Sequence, residues 1–166
     1  MSAPSPVTLR LAQPDDREIL EALLSRVDNF DEEEQRVALE LIDIFLGDGP
    51  TAGPEGDYPT LVAELDGTIC GYATIGRTPF TESTWHLYFI AADPQRRRAG
   101  IGRALCQACA EFVGTRGGQR IVLETAGRED YGGTRGFYLA TGFREEGRIA
   151  DYYRPGDDVV YYVWRW

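Results

Sequence analysis

Polar and apolar positions along the chain switch repeatedly between a period of two and a helical period. "VTLRLAQ", Val7 to Gln13, alternates and predicts a strand. "PDDREILEALLSRV" opens with a proline and two aspartates, residue types that suit the exposed amides of a helix entrance. A second helix is predicted from near Asp31 through "EEEQRVALELIDIFL", with Val37, Leu41, Ile44 and Phe45 at helical spacing. "GDGPTAGPEGD", Gly47 to Asp57, is a loop by composition.

The middle of the chain returns to strands. In "YPTLVAELDGTICGYATIG", Leu61, Ala63 and Leu65 alternate, "DG" turns, and Ile69 to Ile75 comes back, which predicts a hairpin. Trp85 to Ala92, "WHLYFIAA", is apolar and aromatic enough for a central strand. A helix follows over Ile101 to Val113, ending near Gly114, then a strand from Gln119 to Ala126. A short helix from Thr134 to Ala140 is closed by Gly142 as a C-terminal glycine cap. "FREEGRIADYY" and "DDVVYYVWRW" read as two last strands joined by "RPG". The order β-α-α-β-β-β-α-β-α-β-β predicts a single-domain mixed α/β fold over residues 5–166. Its sheet has about seven strands, mostly antiparallel, with about four helices, and is not doubly wound.

Composition narrows the classes. With 166 residues, 43% hydrophobic and 11% aromatic, the chain is expected to fold as one globular domain. No apolar run approaches the ~18–20 residues of a membrane span, and "MSAPSPVTLRLAQPDD" lacks a secretory pattern, so a cytoplasmic protein without membrane partners is expected. A net charge of −10 argues against nucleic-acid binding and tilts mildly toward a cationic amine; all 17 basic residues are arginine. Three cysteines, an odd number, argue against a disulfide framework. Cys106 and Cys109 form a C-x-x-C, but no second pair exists and the one histidine, His86, lies far upstream. Thiols at i and i+3 of a helix are ordinary core filler, so no metal is expected, with redox chemistry at the pair as the rival reading.

"RRRAGIGRAL", Arg96 to Leu105, follows the central strand and opens a helix. Amides at a helix N-terminus have no intrahelical partner and carry partial positive charge. Gly100 and Gly102 remove side chains where a phosphate would approach, and Arg97 and Arg98 can add charge-assisted hydrogen bonds. A diphosphate fits; so does a tight strand-to-helix turn with arginines in water. The dinucleotide pattern fails because Leu105 stands at its sixth position, and no Lys-Ser/Thr pair marks a nucleotide phosphate loop.

"FIAADPQRRRAGIGRAL" resembles the acetyl-CoA-binding motif of the GCN5-related N-acetyltransferases (GNAT): a strand, an Asp-Pro turn, then Q/R-x-x-G-x-G/A at a helix start. "VLETA" followed by "YGGTRGFYLATGF" resembles that family's second cofactor motif, and element order agrees from about Val7 to the C-terminus. The resemblance implies acetyl-CoA as cosubstrate. It implies that Ile90, Ala91 and Ala92 offer backbone groups to the pantetheine arm, and that Arg97, Arg98, Ala99, Gly100, Ile101, Gly102 and Arg103 hold the diphosphate. Tyr131 stands where many relatives carry a cofactor-contacting asparagine, which weakens that contact; Thr134 and Phe137 flank the cofactor, and Arg135 could equally face solvent.

By the same resemblance, Tyr138 protonates the departing thiolate and a strand amide near Ile90 polarises the thioester carbonyl. An amine of pKa ~8–10 is mostly protonated at neutral pH, so a base or water relay helps. Glu124 corresponds to the basic glutamate of RimI-like N-terminal acetyltransferases. His86, which alternates with Tyr88 along its strand just after Glu82, is the reserve. "RIADYYRPGDDVVYYV" resembles the "YY…GED" hairpin of protein N-terminal acetyltransferases, which would put Tyr152 and Tyr153, ahead of Gly156, Asp157 and Asp158, beside the acceptor. The expected activity is acetyl transfer from acetyl-CoA to a primary amine of a small molecule or peptide, by direct attack in a ternary complex. A silent acyl-CoA-binding module on the same fold is the alternative. The oligomeric state stays open, with a homodimer among the options.

Overall fold

Asp66 and Gly67 both take left-handed φ, 53° and 73°, the pair of positive angles that a two-residue hairpin turn needs. They join β2 (Thr60–Leu65) to β3 (Thr68–Arg77), and the register closes at Leu65↔Thr68. The computed structural model describes residues 6–166, so residue 5, where the predicted domain begins, lies outside the described residues. The remaining strands are β1 (Thr8–Leu11), β4 (Thr84–Ala92), β5 (Arg120–Ala126), β6 (Arg144–Arg154) and β7 (Asp157–Arg165). The helices are α1 (Arg17–Arg26), α2 (Glu32–Leu46), α3 (Ile101–Gly114) and α4 (Gly132–Thr141). Short 3-10 turns precede α1, α3 and α4.

The strands hydrogen-bond in the order β1-β2-β3-β4-β5-β7-β6. β1 with β2, β2 with β3, β5 with β7 and β7 with β6 are antiparallel, whereas β4 and β5 run parallel. This is the predicted mixed α/β fold, with its seven mostly antiparallel strands, four helices and element order. The apolar "WHLYFIAA" strand is the fourth of the seven, as a central strand should be.

The chain packs as two compact units. The first comprises the described residues up to Gly76 together with Leu87–Phe112. Its core sets Leu20, Leu23 and Leu24 of α1 and Ala38, Ile42 and Phe45 of α2 against Val62, Ile69 and Tyr72. Asp31 caps α2: its side chain accepts from the Glu34 amide and Glu34 answers to the Asp31 amide, both at 2.8 Å. The α2 stripe is rotated from the predicted one, for Ile44 is exposed and Ala38 and Ile42 face inward. Apolar residues surround much of that helix, and packing against the strands selects the face. Arg10 fixes the entrance to α1, holding Asp16 at 2.6 Å and Glu64 at 2.6 Å.

The second unit comprises Arg77–His86 and Val113–Trp166. Trp85, Ile121, Leu123, Phe143, Val160 and Tyr162 are buried there. Gly142 ends α4 in the left-handed region, φ 117°, with its amide bonded back to the last turn, which is the expected glycine cap. The α4 helix starts at Gly132, earlier than the predicted Thr134. Arg135 explains the early start: its Nη1 donates to the carbonyls of Ala126, 2.9 Å, and Arg128, 2.6 Å, pinning the loop ahead of the two glycines.

Candidate active site

In the first unit the candidate site segment is the passage from β4 to α3. Asp93 is buried and fastens it: its amide donates to the Cys70 carbonyl at 2.8 Å, its Oδ1 accepts from the Gln95 amide at 3.0 Å, and its Oδ2 meets Arg26 at 3.2 Å. The chain then bends through Arg98 (φ 68°) and Gly100 (φ 75°), two left-handed residues with Ala99 between them. A non-glycine residue held there costs about 1 kcal/mol, so the bend is specified by the surrounding anchors rather than by local preference.

The first intrahelical bond of α3 runs from the Ala104 amide to the Gly100 carbonyl, 2.9 Å. The amides of Ile101, Gly102 and Arg103 therefore precede it, with no acceptor inside the helix. A Cβ on Gly100 would meet nothing within 4 Å, so the space beside this residue is open. Arg97, Arg98, Ala99, Gly100 and Arg103 are exposed, while Ile101 is buried and ties the helix start to the core. Gly71 on β3 admits this packing: a Cβ there would come within 2.6 Å of Ile101 Cγ2 and 2.9 Å of the Ala91 carbonyl. Ile90 and Ala92 are half-buried and Ala91 is buried. An open, glycine-lined helix entrance flanked by arginines fits a diphosphate.

The second unit gathers the other predicted residues. The β4–β5 register is Thr84↔Arg120, Trp85↔Ile121 and His86↔Val122. Glu124, two positions on, shares the face of Val122, and its Oε2 lies 3.9 Å from His86 Nε2. Burial pushes the imidazole below its usual pKa, and the Glu124 carboxylate opposes that shift. Across the sheet, Glu124 is paired with Tyr161 of β7. Asp151 takes a left-handed φ of 53° and the β6–β7 register breaks between Ile149 and Arg154, so Tyr152 and Tyr153 bulge out with their rings 5.0 Å apart. The Tyr153 hydroxyl is pushed up to about 12, by burial first and then by the charges of Glu124 and Asp157, and stays protonated.

Tyr138 is buried on α4, its ring 5.5 Å from Phe143, 5.3 Å from Phe137 and 6.0 Å from Tyr162. Thr134 and Phe137 are half-buried on the same helix. Tyr131 sits at the α4 N-cap beneath the Arg128 guanidinium, 4.9 Å from the ring centroid. Arg135 is half-buried, and its Nη1 is committed to two loop carbonyls rather than to solvent. Asp157 is buried at the start of β7 with Arg128 and Arg154 each 3.5 Å from its Oδ2. Cys106 and Cys109 are free thiols buried on α3; burial pushes Cys106 up to about 12 and Cys109 well above the ordinary thiol range.

Tyr161 and Arg128 were not among the residues singled out from the sequence. "VVYYV" puts Tyr161 and Tyr162 on opposite faces of β7, and the register to β5 decides which of them meets Glu124.

The sequence pattern of the Acetyltransferase (GNAT) family matches residues 18–143, and the chain belongs to that family. A GNAT-family protein of Desulfovibrio desulfuricans shares 35% identity, covering 96% of this chain and 99% of its own, with a TM-score of 0.88. The ribosomal-protein-S18-alanine N-acetyltransferase of Escherichia coli has a TM-score of 0.73 at 18% identity, covering 96% of this chain and 94% of its own. A Bacillus anthracis chain in complex with acetyl coenzyme A has a TM-score of 0.71 at 13% identity, covering 97% of this chain and 99% of its own. The last two similarities are of fold. No curated protein matches the chain. No helix among the described residues is long and apolar enough to cross a membrane.

Proposed function

We propose that the chain transfers the acetyl group of acetyl-CoA to a primary amine of a small molecule or peptide, by direct attack in a ternary complex. The observation that carries this reading is the helix entrance at Gly100 to Arg103, where open space beside Gly100, amides with no acceptor inside the helix and flanking arginines suit a coenzyme A diphosphate. Acetyl-CoA would supply an activated thioester. Ile90, Ala91 and Ala92 would present backbone groups to the pantetheine arm, and an amide near Ile90 would polarise the carbonyl. Thr134, Phe137 and Tyr131 would flank the cofactor from α4, the Tyr131 contact being weakened because a tyrosine stands where many relatives carry asparagine; the Arg128 guanidinium lies over its ring.

Two side chains handle protons in this reading. Glu124 takes the proton that keeps the amine from attacking, and its partial exposure leaves it reachable by an acceptor. Tyr138 returns a proton to the thiolate; its ring is held by Phe137, Phe143 and Tyr162. Tyr152 and Tyr153 would line the acceptor side.

Thiol release from acetyl-CoA, measured across a panel of aliphatic amines and short peptides of differing N-terminal residue, tests the proposal. Release with at least one amine is expected. Acetyl-CoA binding by calorimetry with no release from any amine would overturn it in favour of a silent acyl-CoA-binding module.

A further inference from the structure

The chain has a single histidine, and the fold sets it beside Glu124. The two side chains come from adjacent parallel strands and share one face, since His86 is paired with Val122 and Glu124 follows two residues later. At 3.9 Å, Nε2 to Oε2, the pair is wider than a direct hydrogen bond and matches a pair closed by a small side-chain rotation or bridged by one water. Exposure is graded: the His86 side chain is 20% exposed and that of Glu124 43%. An acceptor therefore meets the carboxylate first and the imidazole behind it.

Resting on the acetyltransferase reading above, we propose that His86 is a positioning and proton-holding partner of Glu124: the carboxylate takes a proton from the incoming ammonium group and passes it to His86 Nε2. In this step an N–H bond of the ammonium breaks and its electron pair stays on nitrogen as the nucleophile. The proton ends on the imidazole, which forms an imidazolium beside the regenerated carboxylate, and leaves later to water. No other reactant is needed.

A lone carboxylate is a weak acceptor for an ammonium proton near neutral pH, whereas an imidazole holds a proton in the working range. Burial lowers the His86 pKa, while the facing Glu124 carboxylate opposes that shift and stabilises the cation once formed. The other groups on this face are named by the register. Arg120 lies further back on β5 with its guanidinium donating to Thr84 Oγ1 at 3.0 Å. Tyr161 on β7 and Tyr152 and Tyr153 on β6 stand beside Glu124; Tyr153 and Tyr161 are both shifted upward and remain neutral phenols.

Because the histidine is unique, its imidazole C–H signals in a proton NMR titration of the full chain report on this site without any acceptor. Glu124→Gln should lower the histidine midpoint by roughly one pH unit; an unchanged midpoint would overturn the pairing. His86→Gln should cut kcat for thiol release about tenfold or more, leave the acceptor KM within about threefold, and abolish the acidic limb of the kcat pH profile. Wild-type kcat and an unaltered acidic limb in His86→Gln would refute the proton-holding role while leaving the acetyltransferase reading standing. No thiol release by the wild-type chain with any amine would remove both.

Discussion

Tyr138 and Glu124 address β5 from opposite faces. The Tyr138 ring packs on Tyr162, whose ladder partner is Leu123, while Glu124 is paired with Tyr161. Successive strand residues point to opposite sides, so the proposed proton donor, Tyr138 on α4, and the proposed acceptor, Glu124 on β5, are kept apart by the thickness of the strand. Tyr138→Phe should lower turnover by about a hundredfold while acetyl-CoA affinity stays within about threefold, because the ring packing survives and the proton does not. Steady-state thiol release and calorimetric titration of acetyl-CoA check the two halves separately.

Gly100 permits two substitutions with different physics. Its φ of 75° is left-handed, yet a Cβ there meets nothing within 4 Å. Gly100→Ala should thus cost about 1 kcal/mol of stability through backbone strain alone. Acetyl-CoA affinity should fall only modestly. Gly100→Glu adds a carboxylate in front of the α3 amides and should weaken acetyl-CoA binding at least tenfold through repulsion and blockage. Equal affinity for wild type and the glutamate variant would show that these amides do not hold the diphosphate.

How much of this was legible in the sequence follows the range of each interaction. The capping of α2 by Asp31 and Glu34, the Asp66-Gly67 turn and the Gly142 cap are local, and the residue types alone announce them. The inward face of α2 is not local: the predicted stripe put Ile44 inside, and the sheet takes Ala38 and Ile42 instead. The early start of α4 depends on Arg135 reaching back to two loop carbonyls, a contact no helix propensity contains. His86 and Glu124 were each visible as candidates, but β4 and β5 are separated by a whole helix, so their pairing waits on a register that pattern cannot supply.

The entrance to α1 makes stability depend on acid pH. Arg10 hydrogen-bonds the Asp16 carboxylate, and this, with the Gln13 amide, holds the carboxyl below its ordinary pKa despite burial. A depressed folded-state value means that the stabilisation is present above the unfolded carboxylate range and is lost as pH falls through it toward the folded value. Asp16→Asn should destabilise the chain by about 2 kcal/mol near neutral pH, a deficit that shrinks as both proteins approach the acid limit. Urea unfolding at a series of pH values gives the comparison, and a pH-independent difference would show that the ion pair is not its source.

The C-x-x-C on α3 is predicted to be inert. A thiol reacts as the thiolate, and burial holds Cys106 at about 12 and Cys109 higher still, while Cys70 is also buried and shifted upward. An aromatic disulfide reagent at pH 8 should therefore leave the native chain unlabelled over minutes and titrate all three cysteines once denaturant is added. Cys106→Ala and Cys109→Ala should each lower stability by about 1 kcal/mol, through lost packing, without changing the rate of acetyl transfer. A native thiol that labels rapidly, or an alanine variant that folds yet loses activity, would mean that the pair takes part in chemistry rather than in the core of the helix.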